Sequence, residues 1–513
     1  MSAGWLHATR FVLAGVSFLL ALTTPERASA SPLFELVGSS FGTGGFNGRA
    51  TGTSAASTYF NPAFLPRAKQ GLELGWYVVN DAISITLDPR SNGVDLPESS
   101  LDRTGLDLPP VPTTWLDNGC KPDSGKCVTA IDPQTRQSDG SSGGVRAYQA
   151  LGLVNHIVDR YLSLGFYALI PLNTFTQAHS FFVDEREQYF SNSLHAEMYG
   201  DRLTPVSLAF GAGSQVTKWM SLGVSFTLGL TNTADAGAYV GNSAKVPETL
   251  QLSTKVDVAA SVSPHFGVLF EPLDDLDLTF TLHSPQKMEI NTGFGIYLPN
   301  GDSQYAIRPA THAWLPWTAG LGATFDVFKN ARNAWALTAT GTFERWSQYL
   351  NRQTERPIKD YAFTDIFTGA GGVRYTRDET LATYIDLTYR PTPVPLQTGR
   401  TNYVDNDRYG VMGGLQYDLP VPAWKVAFRF GAQAQLQLLP ERHQKKFNPT
   451  DKEFAGKTYS QLVVDEWPDN TKDISTGQVI TEAKGLQTNN PGWPGFSSKG
   501  MITGGGLTVS LLY

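Results

Sequence analysis

Two cysteines, Cys120 and Cys127, stand close together in a stretch rich in proline, glycine and aspartate. Outside the cytoplasm two thiols so placed are expected to form a disulfide that pins a loop, whereas a structural metal site needs two further soft or imidazole ligands, and none is nearby. Asp274, Asp275 and Asp277 could suggest calcium, yet the other ligands of a calcium loop are missing and a solvated turn accounts for them. Gly42-Thr43-Gly44-Gly45-Phe46-Asn47-Gly48 has the wrong glycine spacing for dinucleotide binding, so close backbone packing is the expectation there. Arg345, Arg374, Arg390 and Arg429 could point inward and meet a ligand carboxylate, or pair with Glu344 and Asp386, which is the expected arrangement. His283 shares a polar face with Asp277, Thr279 and Thr281. A hydrolase would need a Ser/His/acid or Asp/His group, and spacing alone reveals none. The residues therefore point to no covalent chemistry, no cofactor and no metal.

The elements that carry these residues alternate with period two. From Ser221 to Leu230, Leu222, Val224, Phe226, Leu228 and Leu230 share one face, while Ser221, Gly223, Ser225, Thr227 and Gly229 share the other. Val426 to Leu438 repeats the pattern against Arg429, Gln433, Gln435 and Gln437, and Trp335 and Leu337 oppose Thr338, Thr340 and Thr342. The final residues, Leu507 to Tyr513, alternate again and stop on an aromatic side chain, as expected of a strand that closes a barrel. Approximate strands at 71–87, 145–157, 161–182, 205–217, 220–240, 251–271, 276–298, 316–328, 334–353, 366–377, 380–395, 408–419, 424–443 and 501–513 number fourteen. A β-sandwich also alternates. Against it stand strands longer than the usual five or six or so residues and a strict alternation of short turns with long connections. The fold expectation is all-β: a transmembrane antiparallel β-barrel of 14 strands, with 88–144, 183–204, 299–315, 354–365, 396–407 and 444–500 as outward loops. Trp219, Trp314, Trp317, Trp335, Trp346 and Trp424 lie near strand ends, where interfacial girdles belong.

Composition agrees. Glycine is abundant at 50 residues, aromatics make up 12% and charged residues only 17%. Mean hydropathy is −0.20, and no run after the N-terminus approaches the eighteen or so apolar residues of a spanning helix. A net charge of −7 with scattered basic residues excludes a nucleic-acid surface. Arg10, the apolar run from Phe11 to Leu22 and Ala28-Ser29-Ala30 read as a removable export signal over residues 1–30, which places the protein outside the cytoplasm.

Between that signal and the first strand, residues 31–70 are rich in small side chains and end in Ser57-Thr58-Tyr59-Phe60-Asn61-Pro62-Ala63-Phe64-Leu65-Pro66. Here the chain resembles the FadL/TodX family of outer-membrane transporters for long-chain fatty acids and other hydrophobic compounds, in which a Gly/Ala-rich segment leads to an Asn-Pro-Ala motif before the first strand. Leu164 to Pro171, Leu315 to Gly322, Phe343 to Tyr349, Pro391 to Pro395 and Asn402 to Arg408 resemble further stretches of that family, so the likeness runs over most of the mature chain.

The resemblance implies a barrel (71–513) whose lumen is closed by an N-terminal plug (31–70), and passive uptake of a hydrophobic, fatty-acid-like ligand into outer-membrane lipid by a monomer in contact with lipopolysaccharide. Asn61, Pro62 and Ala63 become the plug motif, with the Asn61 amide anchoring it to the inner wall, and Phe60, Phe64 and Leu65 its apolar contacts. Family members use an inward kink of the third strand as a lateral exit. Pro171 is the candidate here, because proline cannot donate a ladder hydrogen bond; a proline at a rim bulge is the alternative. The loops at 241–250 and 299–315 are shorter than the family's entry groove requires. A porin or a loop-displaying adhesin is the runner-up, and an outer-membrane barrel enzyme the third reading.

Overall fold

The computed structural model describes residues 33–87, 138–140, 144–172, 198–203, 205–240, 250–298, 303–350, 356, 362–397, 403–445 and 495–513. The expected export signal and the pair Cys120 and Cys127 lie outside the described residues.

Among the described residues seventeen strands follow one another. They are β1 (Gly71–Leu87), β2 (Ser138–Gly140), β3 (Val145–Val158), β4 (Leu162–Pro171), β5 (Ser207–Thr217), β6 (Met220–Val240), β7 (Leu250–Leu273), β8 (Leu276–His283) and β9 (Gln286–Tyr297). Then come β10 (Ser303–Leu315), β11 (Thr318–Lys329), β12 (Asn333–Glu344), β13 (Ile366–Arg377), β14 (Leu381–Arg390), β15 (Arg408–Val421), β16 (Val426–Lys445) and β17 (Gly495–Leu512). Fourteen of them form one closed antiparallel ring: β1, β3 to β8, then β11 to β17, with β17 returning to β1. The closing register runs from Gly71↔Leu512 to Leu87↔Phe496, which leaves no edge unpaired along β1.

The three remaining strands decorate the ring. β2 pairs with the far end of β1. β9 and β10 form a hairpin inserted between β8 and β11, and β9 runs parallel to the upper part of β6, from Asn232↔Ile290 to Tyr239↔Tyr297. This corrects the expectation of a single strand over 276–298 followed by a loop at 299–315. Pro285, which has no N–H to donate, stands between β8 and β9 and splits the run. Pro309, a charged Arg308 and a bulge between Thr311 and Ala313 hide the alternation of β10.

The faces are inverted relative to a water-soluble protein. Val224 is 45% exposed and Leu507 64%, while Ser221, Ser225, Thr227, Thr338, Thr340, Arg429, Gln435, Gln437 and Ser510 are buried. An apolar outside and a polar inside belong to a barrel whose outer solvent is hydrocarbon. Among the described residues no helix is long and apolar enough to cross a membrane.

Both Gly71 and Leu512 lie at the end of the barrel that carries the short turns, and the Tyr513 N–H donates to the Gln70 carbonyl there. Four non-glycine residues with positive φ, Arg160, Asp378, Glu379 and Lys425, sit in those turns. The strand ends that the long connections join lie at the other end. Trp219, Trp317, Trp335 and Trp424 are exposed near strand ends, but Trp314 and Trp346 are not. They pack inside with Tyr349, Phe363 and Tyr403, where Tyr349 and Phe363 stack at 4.1 Å.

Candidate functional site

Residues 33–70 run through the lumen. Helix α1 (Leu33–Val37) buries Leu33, Phe34, Leu36 and Val37, and its Phe34 ring lies 4.7 Å from Tyr167 of β4 and 4.6 Å from Tyr59. Three glycines at positive φ, Gly38, Gly42 and Gly45, then let the chain double back on itself, with a bridge between Ser39 and Gly45. Helix α2 (Ser57–Phe60) ends at Asn61, and Pro62 starts a 3-10 turn over Pro62–Phe64.

Asn61 is fully buried and uses both ends of its amide. Its Oδ1 accepts from the Ala63 N–H at 3.1 Å, capping the turn that Pro62 begins without an N–H to lose. Its Nδ2 donates to the Arg49 carbonyl at 3.1 Å and reaches the Val268 carbonyl of β7 at 3.5 Å. Ala63 and Phe64 pack on Leu269, Leu65 joins Ala55, Ala68 and Val154, and Phe60 belongs to the main apolar cluster of the lumen.

The wall receives this motif on glycines. A Cβ added at Gly165, Gly213, Gly223 or Gly267 would collide with Thr58, with the Pro62 carbonyl, with the Pro62 and Ala63 backbone, and with Asn61 respectively. Four neighbouring strands, β4 to β7, are thus hollowed where the turn sits. Across the lumen the same device recurs at Gly320 and Gly322 of β11, which admit Arg49 and Ala50.

Hydrogen bonds fasten the segment around the ring. Glu73 of β1 accepts from the Ala55 N–H at 2.8 Å; Asp386 of β14 accepts from the Phe46 N–H at 2.9 Å. Arg374 of β13 pairs with Asp386 and donates to the Gly44 carbonyl. Thr324, Thr340 and Gln437 donate to Ala50, Asn47 and Leu36. Where the segment leaves the lumen, Arg67 pairs with Asp277 and Lys69 with Asp418, each at 2.8 Å.

A cavity of about 90 Å³ remains between the segment and the wall from β8 through β16. Its floor holds Arg49, paired with Glu35, which also accepts from the Tyr59 hydroxyl at 2.7 Å. Burial works against the Arg49 charge, but the Glu35 carboxylate more than offsets it and leaves the guanidinium pKa above its ordinary value. Burial, then the Glu35 charge, push the Tyr59 phenol up as well. The wall side presents Thr318, Thr340, Thr342, Glu344 and Arg390, and Arg390 bonds Glu344 at 3.2 Å.

Of the arginines singled out in the sequence, Arg374, Arg390 and Arg429 face inward and find carboxylates, the last on Asp418 rather than on the two acids expected. Arg345 is exposed. His283 is buried with its ring 4.2 Å from His265 and 5.0 Å from Tyr59. Asp277 does not join it but pairs with Arg67. Pro171 is the last residue of β4, and residues 173–182 of the strand expected there lie outside the described residues; Pro171 pairs with Tyr148 of β3, whereas pairing with β5 stops at Leu169↔Ser207. Beyond Leu228, β6 turns from β5 to β9. The glycine seats and the Arg49, Glu35 and Tyr59 cluster were not anticipated. An excess of inward-phase glycines on consecutive strands was the available signal for the seats.

No family model and no curated protein matches the sequence. Among solved structures, a FadL homologue from Pseudomonas aeruginosa is similar at TM-score 0.46 and 15% identity over 95% of this chain and 98% of that one. The toluene transporter TodX of Pseudomonas putida is similar at TM-score 0.45 and 10% identity, covering 95% and 99%. The toluene transporter TbuX of Ralstonia pickettii follows at 0.42 and 11%, covering 94% and 98%.

Proposed function

We propose that the protein is a passive transporter in the bacterial outer membrane, acting as a monomer amid lipid and lipopolysaccharide, and that residues 31–70 are its plug. The observation that carries this reading is the occupied lumen: residues 33–70 are bonded to strands around the ring, and a cavity of about 90 Å³ lies between them and the wall. A polar solute that crosses a porin needs a continuous water path, and here the segment stands in it. A hydrophobic molecule needs no such path. It gains about 0.8 kcal/mol for each CH₂ kept out of water, so a route from the lumen through the wall into lipid suits it better than one that ends in the periplasm. The place on the wall that fits such an exit is the β4 edge beyond Leu169, where pairing with β5 has stopped and Pro171 has no N–H to offer. Asn61, Pro62 and Ala63 lock the plug to β7, with Phe60, Phe64 and Leu65 as its apolar contacts. This agrees with the resemblance of that motif to the FadL/TodX family. Mass spectrometry of small molecules that copurify with the protein tests the reading: lipid-soluble compounds specific to this barrel support it, and their absence relative to an unrelated barrel purified alongside counts against it.

A further inference from the structure

At the end of the barrel that carries the long connections, residues 198–203 of the β4–β5 connection turn inward. Met198, Tyr199 and Leu203 are all buried, and Met198 lines the cavity. The turn is tied to three separate parts of the fold. The Tyr148 hydroxyl of β3 donates to the Leu203 carbonyl at 2.9 Å, and the Gly200 N–H donates to Asp81 of β1 at 2.7 Å. On the far side the Tyr199 hydroxyl donates to Asp405, in the connection before β15, at 2.9 Å. Gly200 has a φ of 63°, the left-handed conformation that glycine adopts without strain. Arg408 of β15 stands 5.9 Å from the Tyr199 ring, and burial together with the Asp405 charge raises the Tyr199 pKa, so the phenol stays a donor.

We propose that residues 198–203 are a strap across the outward end of the cavity, and that this strap must swing aside before a solute passes between the cavity and the exterior. The strap is held by side-chain hydrogen bonds and packing, not by a strand ladder. It can therefore open locally while the ring of strands stays paired. The latch is the Tyr199–Asp405 bond, because it alone of the three joins the strap to the β14–β15 side of the barrel.

The test places a reporter thiol beneath the strap and reads its accessibility. Thr342→Cys lines the cavity and is introduced with Cys120→Ser and Cys127→Ser; the purified protein in lipid nanodiscs is treated with a charged methanethiosulfonate, and heat-modifiable gel mobility confirms a folded barrel. Tyr199→Phe keeps the ring and removes the bond to a charged acceptor, so labelling should accelerate about tenfold, and Tyr199→Ala should accelerate it further. Asp405→Asn, which weakens the same bond from the other side, should fall between the parent and Tyr199→Phe. Labelling at the parent rate in folded Tyr199→Phe and Tyr199→Ala proteins would overturn the proposal.

Discussion

Replacing Gly223 by alanine adds one methyl group at a place where the wall meets the backbone of the luminal turn. The added Cβ would overlap the Pro62 carbonyl group and the Ala63 nitrogen, which are backbone atoms that no rotamer change can move. Overpacking of a tight contact costs about 1 to 3 kcal/mol, and the rigidity of both partners puts this site at the upper end. The strain has two outlets. The wall at Gly223 is held by two strand ladders, to β5 and β7, whereas the turn is held by the Asn61 amide and a few apolar contacts. The turn should therefore yield, and the segment's docking free energy should fall by that amount while the barrel stays folded. Hydrogen exchange with mass spectrometry on peptides from residues 33–70 reads the change directly, with protection lowered by about five- to 150-fold if exchange proceeds through undocking. Gly341→Ala is the control, since nothing lies within 4 Å of a Cβ there. Equal protection in Gly223→Ala and Gly341→Ala proteins would refute the argument that the glycine seats position the segment.

Other perturbations probe other joints of the molecule. Asn61→Ala removes a turn cap and leaves the buried Arg49 carbonyl without its donor, so segment docking should weaken by about 1 to 3 kcal/mol, seen as faster exchange of the same peptides and altered uptake; normal exchange and transport would remove Asn61 from the anchoring role. Val224→Lys puts a charge on the lipid-facing side of β6 and should destabilise the barrel by about 2 to 4 kcal/mol in a urea titration in lipid if the site lies at the midplane; a neutral result would mean the faces have been exchanged. Pro171→Val restores a donor at the end of β4 and should slow uptake of a hydrophobic solute without impairing assembly; unchanged uptake counts against the β4 edge as the exit.

The wall was legible in the sequence because a barrel strand repeats one simple rule over many residues. Ser221 to Leu230 and Val426 to Leu438 state their inside and outside residue by residue, and β6 and β13 take the bounds that alternation gives them. The β9–β10 hairpin was hidden because its pairing with β6 depends on a partner distant in the chain, and a proline-containing, partly charged strand carries little local signal. Trp314 and Trp346 show a related failure. Proximity to a strand end says that a ring is near an interface, but not whether it turns out to lipid or in toward Tyr349 and Phe363. The luminal segment was recognised by its motif, yet its seats were invisible, since an inward glycine looks the same whether it faces water or the backbone of Pro62. Arg49 and Glu35 meet only because the glycine-rich turns fold the segment back, and nothing in their spacing foretells it.

A plugged barrel of the proposed kind passes hydrophobic molecules and refuses polar ones of similar size. The most direct measurement expresses the protein in the outer membrane of cells lacking both porins and hydrophobic-compound channels, and compares entry of radiolabelled oleate and toluene with entry of maltotriose. Faster entry of at least one hydrophobic solute and no change for the sugar are expected. Faster entry of maltotriose, or no effect on either hydrophobic solute, would contradict the proposed function.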